Sequence, residues 1–74
     1  MVEARELAGY LEVAIAKLRP EYRTAILLRH VEGRPYEEIS DIMGVPLGTV
    51  KTYIFRARRQ LREDLSDLDG DPGN

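Results

Sequence analysis

Apolar residues recur at spacings of three and four along the chain, a pattern typical of helices that bury one face. From about Glu3 to Lys17 they predict a helix with a single apolar face. Arg19-Pro20 ends it, because the residue before a proline avoids helical geometry. From about Pro20 to Glu32 the chain is apolar around most of the helical circumference. We therefore expect the second helix to be the central one, packed on more than one side.

A short third helix is predicted from about Pro35 to Met43, with Ile39, Ile42 and Met43 on its apolar edge. The glycine at position 33 favours the left-handed geometry that ends the preceding helix. Gly-Val-Pro at positions 44–46 predicts a tight turn, after which a fourth helix begins near Leu47.

The fourth helix, about Leu47 to Leu65, has two chemically distinct faces. At about 100° per residue, its apolar side chains fall within about 60° of one another. These side chains belong to Val50, Ile54, Ala57 and Leu61. The opposite face carries Thr52, Phe55, Arg56 and Arg59, with Lys51 on its shoulder. We expect the apolar set to pack on the core and the other set to face solvent.

Two helices joined by a three-residue turn containing glycine are typical of a helix-turn-helix. The pattern as a whole predicts an all-α fold, a compact four-helix domain with a C-terminal helix-turn-helix. We place it near the winged-helix class of DNA-binding domains, without a wing. The predicted domain covers residues 1–65, and residues 66–74 form an acidic tail that we expect to be disordered.

The net charge of −2 conceals a strongly uneven distribution. Positions 1–46 hold six basic and eight acidic residues, positions 47–62 hold five basic and no acidic ones, and positions 63–74 hold five acidic and no basic ones. A helix with five uncompensated positive charges suits a polyanionic partner, although the chain as a whole is acidic. The uneven charge therefore supports nucleic-acid binding by the fourth helix.

Several function classes find no support in the residues. The chain has no cysteine, and His30 is its one histidine, so no metal cluster is predicted. It also shows no nucleophile–base pair and no phosphate-binding glycine loop, so we predict neither an enzyme nor a cofactor. No apolar run is long enough to cross a bilayer and no signal-peptide pattern is present, so we expect no membrane association and a cytoplasmic protein.

The outward face of the fourth helix has the chemistry that a major-groove helix needs. Arginine and lysine reach guanine, threonine reaches several base edges, and an apolar ring can contact the thymine methyl. Residues near the helix N-terminus usually contact bases, which assigns base contacts to Lys51, Thr52, Phe55 and Arg56. Backbone or structural roles are assigned to Arg58, Arg59 and Arg62. Thr49, in the first turn, could close that turn, contact a phosphate, or do both.

The chain resembles region 4 of bacterial sigma factors, and the extracytoplasmic-function group most of all. The resemblance covers about positions 7–65 and is carried by Leu-Arg-Pro-Glu-Tyr-Arg at 18–23, Leu-Leu-Arg-His-Val-Glu-Gly at 27–33 and Tyr-Glu-Glu-Ile at 36–39. Its most specific part is Gly-Val-Pro-Leu-Gly-Thr-Val-Lys at 44–51, followed by Arg-Ala-Arg at 56–58.

The resemblance implies binding of the −35 promoter element in double-stranded DNA through the last helix. It also implies docking on the flap of the RNA polymerase β subunit, an anti-sigma factor as a further partner, and a monomer when alone. Lys51, Thr52, Phe55 and Arg56 match the family's DNA-facing positions, and Arg34, Tyr36 and Glu37 match a region that contacts phosphate. Because a complete sigma factor also carries region 2, the chain is expected to be a C-terminal part of one.

Two departures from the family pattern affect these expectations. Pro35 stands where a serine or threonine commonly caps the third helix, so the cap of that helix must be made in another way. Tyr53 stands where a basic residue is frequent, so one DNA contact is expected to be lost or changed.

Two other functions fit part of the pattern. DNA-binding output domains of response regulators and quorum-sensing activators share the four-helix plan and a Thr-Val-Lys motif, but usually form dimers through their last helix. A protein-interaction module that holds polymerase without contacting DNA would fit the acidic balance. Salt dependence separates this module from a DNA-binding domain, because binding through several phosphates weakens steeply as salt rises.

Removal of residues 66–74 is predicted to leave the fold intact and to tighten DNA binding. This segment contains little apolar surface, and its carboxylates compete with DNA for the basic helix. Thermal melting and DNA titration of the shortened chain test both statements. A large fall in melting temperature, or unchanged DNA affinity, would contradict the corresponding half of the prediction.

Overall fold

The computed structural model describes residues 3–66, which form four helices and no strand. The helices are α1 (Ala4–Ala16), α2 (Pro20–His30), α3 (Tyr36–Met43) and α4 (Leu47–Ser66). Every bound lies within two residues of the predicted one. The all-α fold with a C-terminal helix-turn-helix is confirmed. Of the predicted acidic tail, residue 66 ends α4, and residues 67–74 lie outside the described part of the chain.

The core is a cluster of small and branched apolar side chains from α2, α3, α4 and the loop before α2, with Ile15 of α1 packed against it. Its fully buried members are Leu18, Ala25, Ile26, Ile39, Val50, Ile54 and Ala57. Three of them belong to α4 and lie on the stripe predicted from its helical periodicity. Leu61, the fourth residue of that stripe, is half-buried against the cluster.

The central helix is α4 rather than α2. As predicted, α2 packs on two sides, against α3 and α4, but α4 contacts each of the other three helices. The physical reason is its length, because a helix of 20 residues can contact α3 and α2 and still extend along α1. Ala14 of α1 and Leu65 of α4 line one shallow cleft where these two helices meet.

Two apolar faces predicted from the sequence are only partly buried. In α1, Ala14 is buried, whereas Leu7 and Leu11 nearer its N-terminus are exposed, because in the described chain few atoms pack against that end. In α3, Ile39 is completely buried but Ile42 is 51% exposed. An eight-residue helix that packs on its neighbours through one side leaves its second apolar position at the edge of the contact.

At the start of α3, backbone groups make the cap that Pro35 cannot make with its side chain. Proline has no side-chain hydrogen-bond acceptor, and no side-chain cap is present. The Pro35 carbonyl instead accepts backbone hydrogen bonds from Glu38 (3.0 Å) and Ile39 (3.1 Å). Glu37 and Glu38 lie in the first turn, where the helix dipole favours negative charge.

Replacing Ile39 by alanine is predicted to destabilise the domain by about 2–5 kcal/mol. The side chain is completely buried, so its removal leaves a cavity that neither solvent nor neighbouring side chains fill. Ile42→Ala in the same helix is the matched control, and we expect it to cost less than about 1 kcal/mol. Urea denaturation followed by circular dichroism measures both free energies of unfolding. Similar losses for the two variants would show that Ile39 is not a core residue.

Candidate nucleic-acid interface

The N-terminal half of α4 presents the polar and basic face predicted from its periodicity. Val50 and Ile54 are at most 1% exposed, and this burial fixes the rotation of the helix about its axis. Five side chains predicted to face outward are all exposed: Lys51, Thr52, Phe55, Arg56 and Arg59. The structure therefore brings the predicted base-reading residues together on one accessible surface, which we call the reading face.

Phe55 is the one large apolar side chain on the reading face and is 60% exposed. Exposed phenylalanine in a small domain keeps apolar surface in water that folding could have buried, and such residues often mark a contact surface. Its neighbours on the helix surface, Lys51 and Arg59, are basic. An aromatic ring between cationic side chains suits a partner that combines negative charge with apolar groups, as a DNA major groove does.

Thr52 makes a local hydrogen bond that defines what it can offer a ligand. Its hydroxyl donates to the carbonyl oxygen of Gly48, one turn earlier, at 3.0 Å. With its proton engaged in this way, the Thr52 oxygen faces outward as an acceptor, beside the methyl group of the same side chain. It is therefore arranged to accept from an exocyclic amine of a base or to contact an apolar methyl group.

The turn between α3 and α4 is fastened by Ser40, a residue that sequence reasoning missed. The Ser40 carbonyl accepts from the backbone N–H groups of Gly44 (2.9 Å) and Val45 (3.1 Å), and its hydroxyl donates to the Val45 carbonyl (2.5 Å). Gly44 has φ of +69°, a left-handed geometry that favours glycine. These bonds set the angle at which the reading face is presented.

The first turn of α4 begins at Pro46, whose carbonyl accepts from Thr49 (2.9 Å) and Val50 (3.1 Å). Thr49 is half-buried there, beside the reading face and not on it. This position is compatible with each of the roles considered for Thr49. Its contact with phosphate stays a prediction.

Tyr36 and Lys51 line one shallow cleft between the N-terminal ends of α3 and α4. The Tyr36 ring lies under the guanidinium of Arg29, whose Cζ is 4.9 Å from the ring centroid. Arg29 also donates to the Arg34 carbonyl at 3.0 Å, which ties α2 to the start of α3. The cleft thus joins one predicted phosphate-contacting residue, Tyr36, to the reading face.

Glu37, which matches the same phosphate-contacting region, also lines this cleft. Arg34, the third residue of that set, is already paired with carboxylates. Its Nε donates to Glu32 at 2.8 Å and its Nη1 donates to Glu38. These bonds, the one to Glu38 above all, raise the pKa of Arg34 above its ordinary value, so the side chain stays positively charged. A phosphate would therefore have to compete with two carboxylates for this guanidinium.

Arg56 and Arg59 line a second, polar cleft. Arg19, the residue before α2, and Tyr22, in the first turn of α2, line its other side. Arg56 Nη1 donates to the Tyr22 hydroxyl at 3.2 Å. The Tyr22 ring also packs against the ring of Tyr53, with centroids 5.6 Å apart. Tyr53, the departure from the family pattern noted above, thus packs against the core beside the reading face.

Arg58 lies on α4 beyond the reading face and contacts His30 at the end of α2. Its Nε and Nη2 lie 3.1 and 2.8 Å from His30 Nε2. Because arginine is always a donor, His30 accepts here as a neutral ring. Partial desolvation and the nearby charges of Arg58 and Arg29 lower the pKa of His30, which favours that neutral form.

The His30–Arg58 pair stands at the rim of an apolar groove between α1, α2 and α4. The groove is lined by Leu11, Ile15, Ile26, Leu27, Val31 and Leu61. Val31 is 73% exposed, although the sequence pattern counted it with the apolar residues of the second helix. By helical rotation, Leu61 lies about 140–180° around α4 from Arg56 and Thr52, whereas Arg58 lies at nearly the same rotation as Lys51 but about 10 Å further along the helix. The domain therefore carries a polar reading face and an apolar groove on different sides of one helix.

Two further classes of site find no support among residues 3–66. No group of histidine and acidic side chains in this range is arranged to hold a metal ion. No helix in the same range is long and apolar enough to cross a membrane.

Comparison with known proteins agrees with this geometry. The family described as "Sigma-70, region 4" matches residues 8–61. The chain is 42% identical over 67 residues to the ECF RNA polymerase sigma factor SigW of Bacillus subtilis, covering 90% of this chain and 36% of that protein. It is 47% identical over 60 residues to the ECF RNA polymerase sigma factor SigE of Mycolicibacterium smegmatis, covering 81% of this chain and 23% of that protein.

A third relative, the ECF RNA polymerase sigma-E factor of Haemophilus influenzae, is 44% identical over 63 residues, or 85% of this chain and 33% of that protein. The chain thus spans about a third or less of the length of these relatives. The family match covers the four-helix core, the turn held by Ser40 and the reading face. The chain belongs to the sigma-70 region 4 family.

Proposed function

We propose that this domain recognises the −35 element of promoter DNA and, as part of a sigma factor, directs RNA polymerase to initiate transcription. The observation that carries the proposal is the reading face. Lys51, Thr52, Phe55 and Arg56 are exposed together on a helix whose opposite side is fully buried. A helix held this rigidly can enter a major groove without losing further conformational freedom.

The residues of the reading face are proposed to make different contacts with DNA according to their position along α4. Arg56 and Lys51 reach guanine O6 and N7, and Phe55 contacts a thymine methyl group. Thr52, whose proton is engaged by Gly48, accepts from an adenine or cytosine amine. Arg59, one turn further on, contacts the phosphate backbone and sets the register on the duplex.

The start of α3 extends the proposed contact along the DNA backbone. Tyr36 shares a cleft with Lys51, and its hydroxyl can donate to a phosphate. Thr49, in the first turn of α4, contacts a phosphate of the same DNA strand as Tyr36. Arg34 joins them where a phosphate displaces the carboxylate of Glu32 or Glu38, so its contribution is smaller than that of an unpaired arginine.

The apolar groove is proposed as the docking site for the flap of the polymerase β subunit. Its lining is almost entirely apolar, and Val31 leaves most of its surface in water. The groove lies on a different side of α4 from the reading face, so polymerase and promoter can be bound together. The curated relatives are named as RNA polymerase sigma factors, which fits a polymerase-binding surface in this domain.

An anti-sigma factor is proposed as a third partner, acting by covering the apolar groove, the reading face, or both. These partners place the protein in the cytoplasm, and the domain is expected to be a monomer when alone. A domain that binds polymerase without contacting DNA is the competing function, and the DNA titration below separates the two.

Arg56→Ala is predicted to cost about 1–3 kcal/mol on the cognate duplex and to relax sequence preference. Arg59→Ala is the matched control and should weaken binding to all sequences alike, since a phosphate contact carries no sequence information. The probes are duplexes that this chain selects from a randomised pool, and scrambled versions of them. Fluorescence anisotropy across a range of salt concentrations measures the affinities.

The logarithm of the wild-type binding constant should fall with the logarithm of salt concentration at a slope of roughly 0.9 per phosphate contacted. Arg59→Ala should reduce that slope by about one contact. Equal losses for Arg56→Ala on selected and scrambled duplexes would contradict base reading. Absence of salt-dependent DNA binding would favour the polymerase-binding module.

Val31→Ser is predicted to weaken binding to the isolated β-flap domain roughly tenfold, because a buried valine contributes about 1.5 kcal/mol to an apolar contact. DNA affinity should be unchanged. Val13→Ser is the matched control, since Val13 is also exposed, at 55%, but does not line the groove. Biolayer interferometry with immobilised flap domain measures both variants, and equal effects would exclude the groove as the docking site.

A further inference from the structure

We infer that Tyr22 is a positioning residue for Arg56, holding the guanidinium of this DNA-reading side chain in place before DNA binds. The inference rests on the proposed function, in that it assigns how one of the reading residues is oriented. It starts from the single hydrogen bond by which Arg56 Nη1 donates to the Tyr22 hydroxyl at 3.2 Å.

Tyr22 is itself fixed by its surroundings. Its ring is half-buried against the core and packs at 49° on the ring of Tyr53, with centroids 5.6 Å apart. The guanidinium carbon of Arg19 lies 6.0 Å from the Tyr22 centroid, within reach of a cation–π contact. With two contacts on its ring, the tyrosine offers its hydroxyl at a defined point beside the reading face.

The benefit to Arg56 is a matter of conformational entropy. An exposed arginine has several rotatable bonds, and fixing them on a base edge costs conformational entropy. A hydrogen bond made in the free protein meets part of that cost before binding. Because a guanidinium has several N–H donors in a rigid fork, the bond to Tyr22 leaves others to pair with guanine.

Arg59 provides the contrast that makes the inference specific. It lies on the same helix face and lines the same cleft, yet the described structure gives it no side-chain hydrogen bond. A phosphate can be contacted from many directions, so a side chain that binds backbone needs little positioning. A base edge requires a fixed geometry, and of these two arginines Tyr22 holds the one assigned to a base.

The first test needs no DNA. Rotation of the guanidinium about Nε–Cζ is measured by NMR for each arginine in the wild-type protein and in Tyr22→Phe. We expect Arg56 to rotate at least threefold more slowly than Arg59 in the wild type, and at the same rate in Tyr22→Phe. Equal rates for Arg56 and Arg59 in the wild-type protein would overturn the inference, whatever the domain binds.

The second test is a double-mutant cycle on the selected duplexes. Tyr22→Phe keeps the ring and its packing, so its melting temperature should stay within a few degrees of wild type. Its affinity for the selected duplex should fall roughly threefold to tenfold, because Arg56 would then have to be ordered at the moment of binding. In the Arg56→Ala background the same substitution should have no further effect. Tyr36→Phe is the matched control, because it also removes an aromatic hydroxyl and its effect should persist in that background.

The outcomes distinguish the inference from the proposed function. An Arg56→Ala loss without a Tyr22→Phe loss overturns the positioning role and leaves base reading by Arg56 intact. Tighter binding by Tyr22→Phe also overturns it, since the hydrogen bond would then be holding Arg56 away from DNA. If Arg56→Ala binds every duplex as tightly as the wild type does, the proposed reading role of Arg56 is refuted. The NMR comparison then still decides whether Tyr22 restrains Arg56.

Discussion

Burial of one side of α4 is the constraint on which the rest of the structure depends. The core buries Val50, Ile54 and Ala57. Their burial fixes the rotation of the helix and so determines which of its other side chains remain exposed to water. The helix that reads DNA in the proposed function is therefore also the helix around which the domain folds. A substitution in the buried stripe cannot be neutral for recognition, since loss of packing also releases the orientation of Thr52 and Arg56.

The placement of α4 at the centre has a second consequence, because a helix has more than two sides. The side that carries Arg58 and Leu61 is turned toward α1 and α2 and helps to form the apolar groove. The His30–Arg58 contact lies at the rim of this groove. A small domain can in this way offer a charged surface and an apolar surface without either one interfering with the other.

Much of the fold and the membership of the reading face could be predicted from the sequence, because both follow from local periodicity. Helical rotation depends only on residue number, so the inward position of Ile54 and the outward position of Phe55 needed no knowledge of neighbours. What could not be predicted depends on contacts between distant residues. Tyr22 and Arg56 lie 34 positions apart, and His30 and Arg58 lie 28 apart. The exposure of Ile42 likewise reflects which neighbours a short helix meets, and no pattern within that helix encodes it.

The contacts that periodicity could not predict are also those that prepare the surface for its partner. Ser40 fixes the turn and the Tyr22–Tyr53 pair limits Arg56, whereas Phe55 and Arg59 project into water. Affinity between a small domain and DNA is limited by the ordering that binding requires. A domain that makes its positioning contacts beforehand, with residues from α2 and α3, can recognise a short DNA element through only one turn or two of α4. On this argument, the specificity of the proposed function is distributed over the fold even though the proposed base contacts belong to one helix.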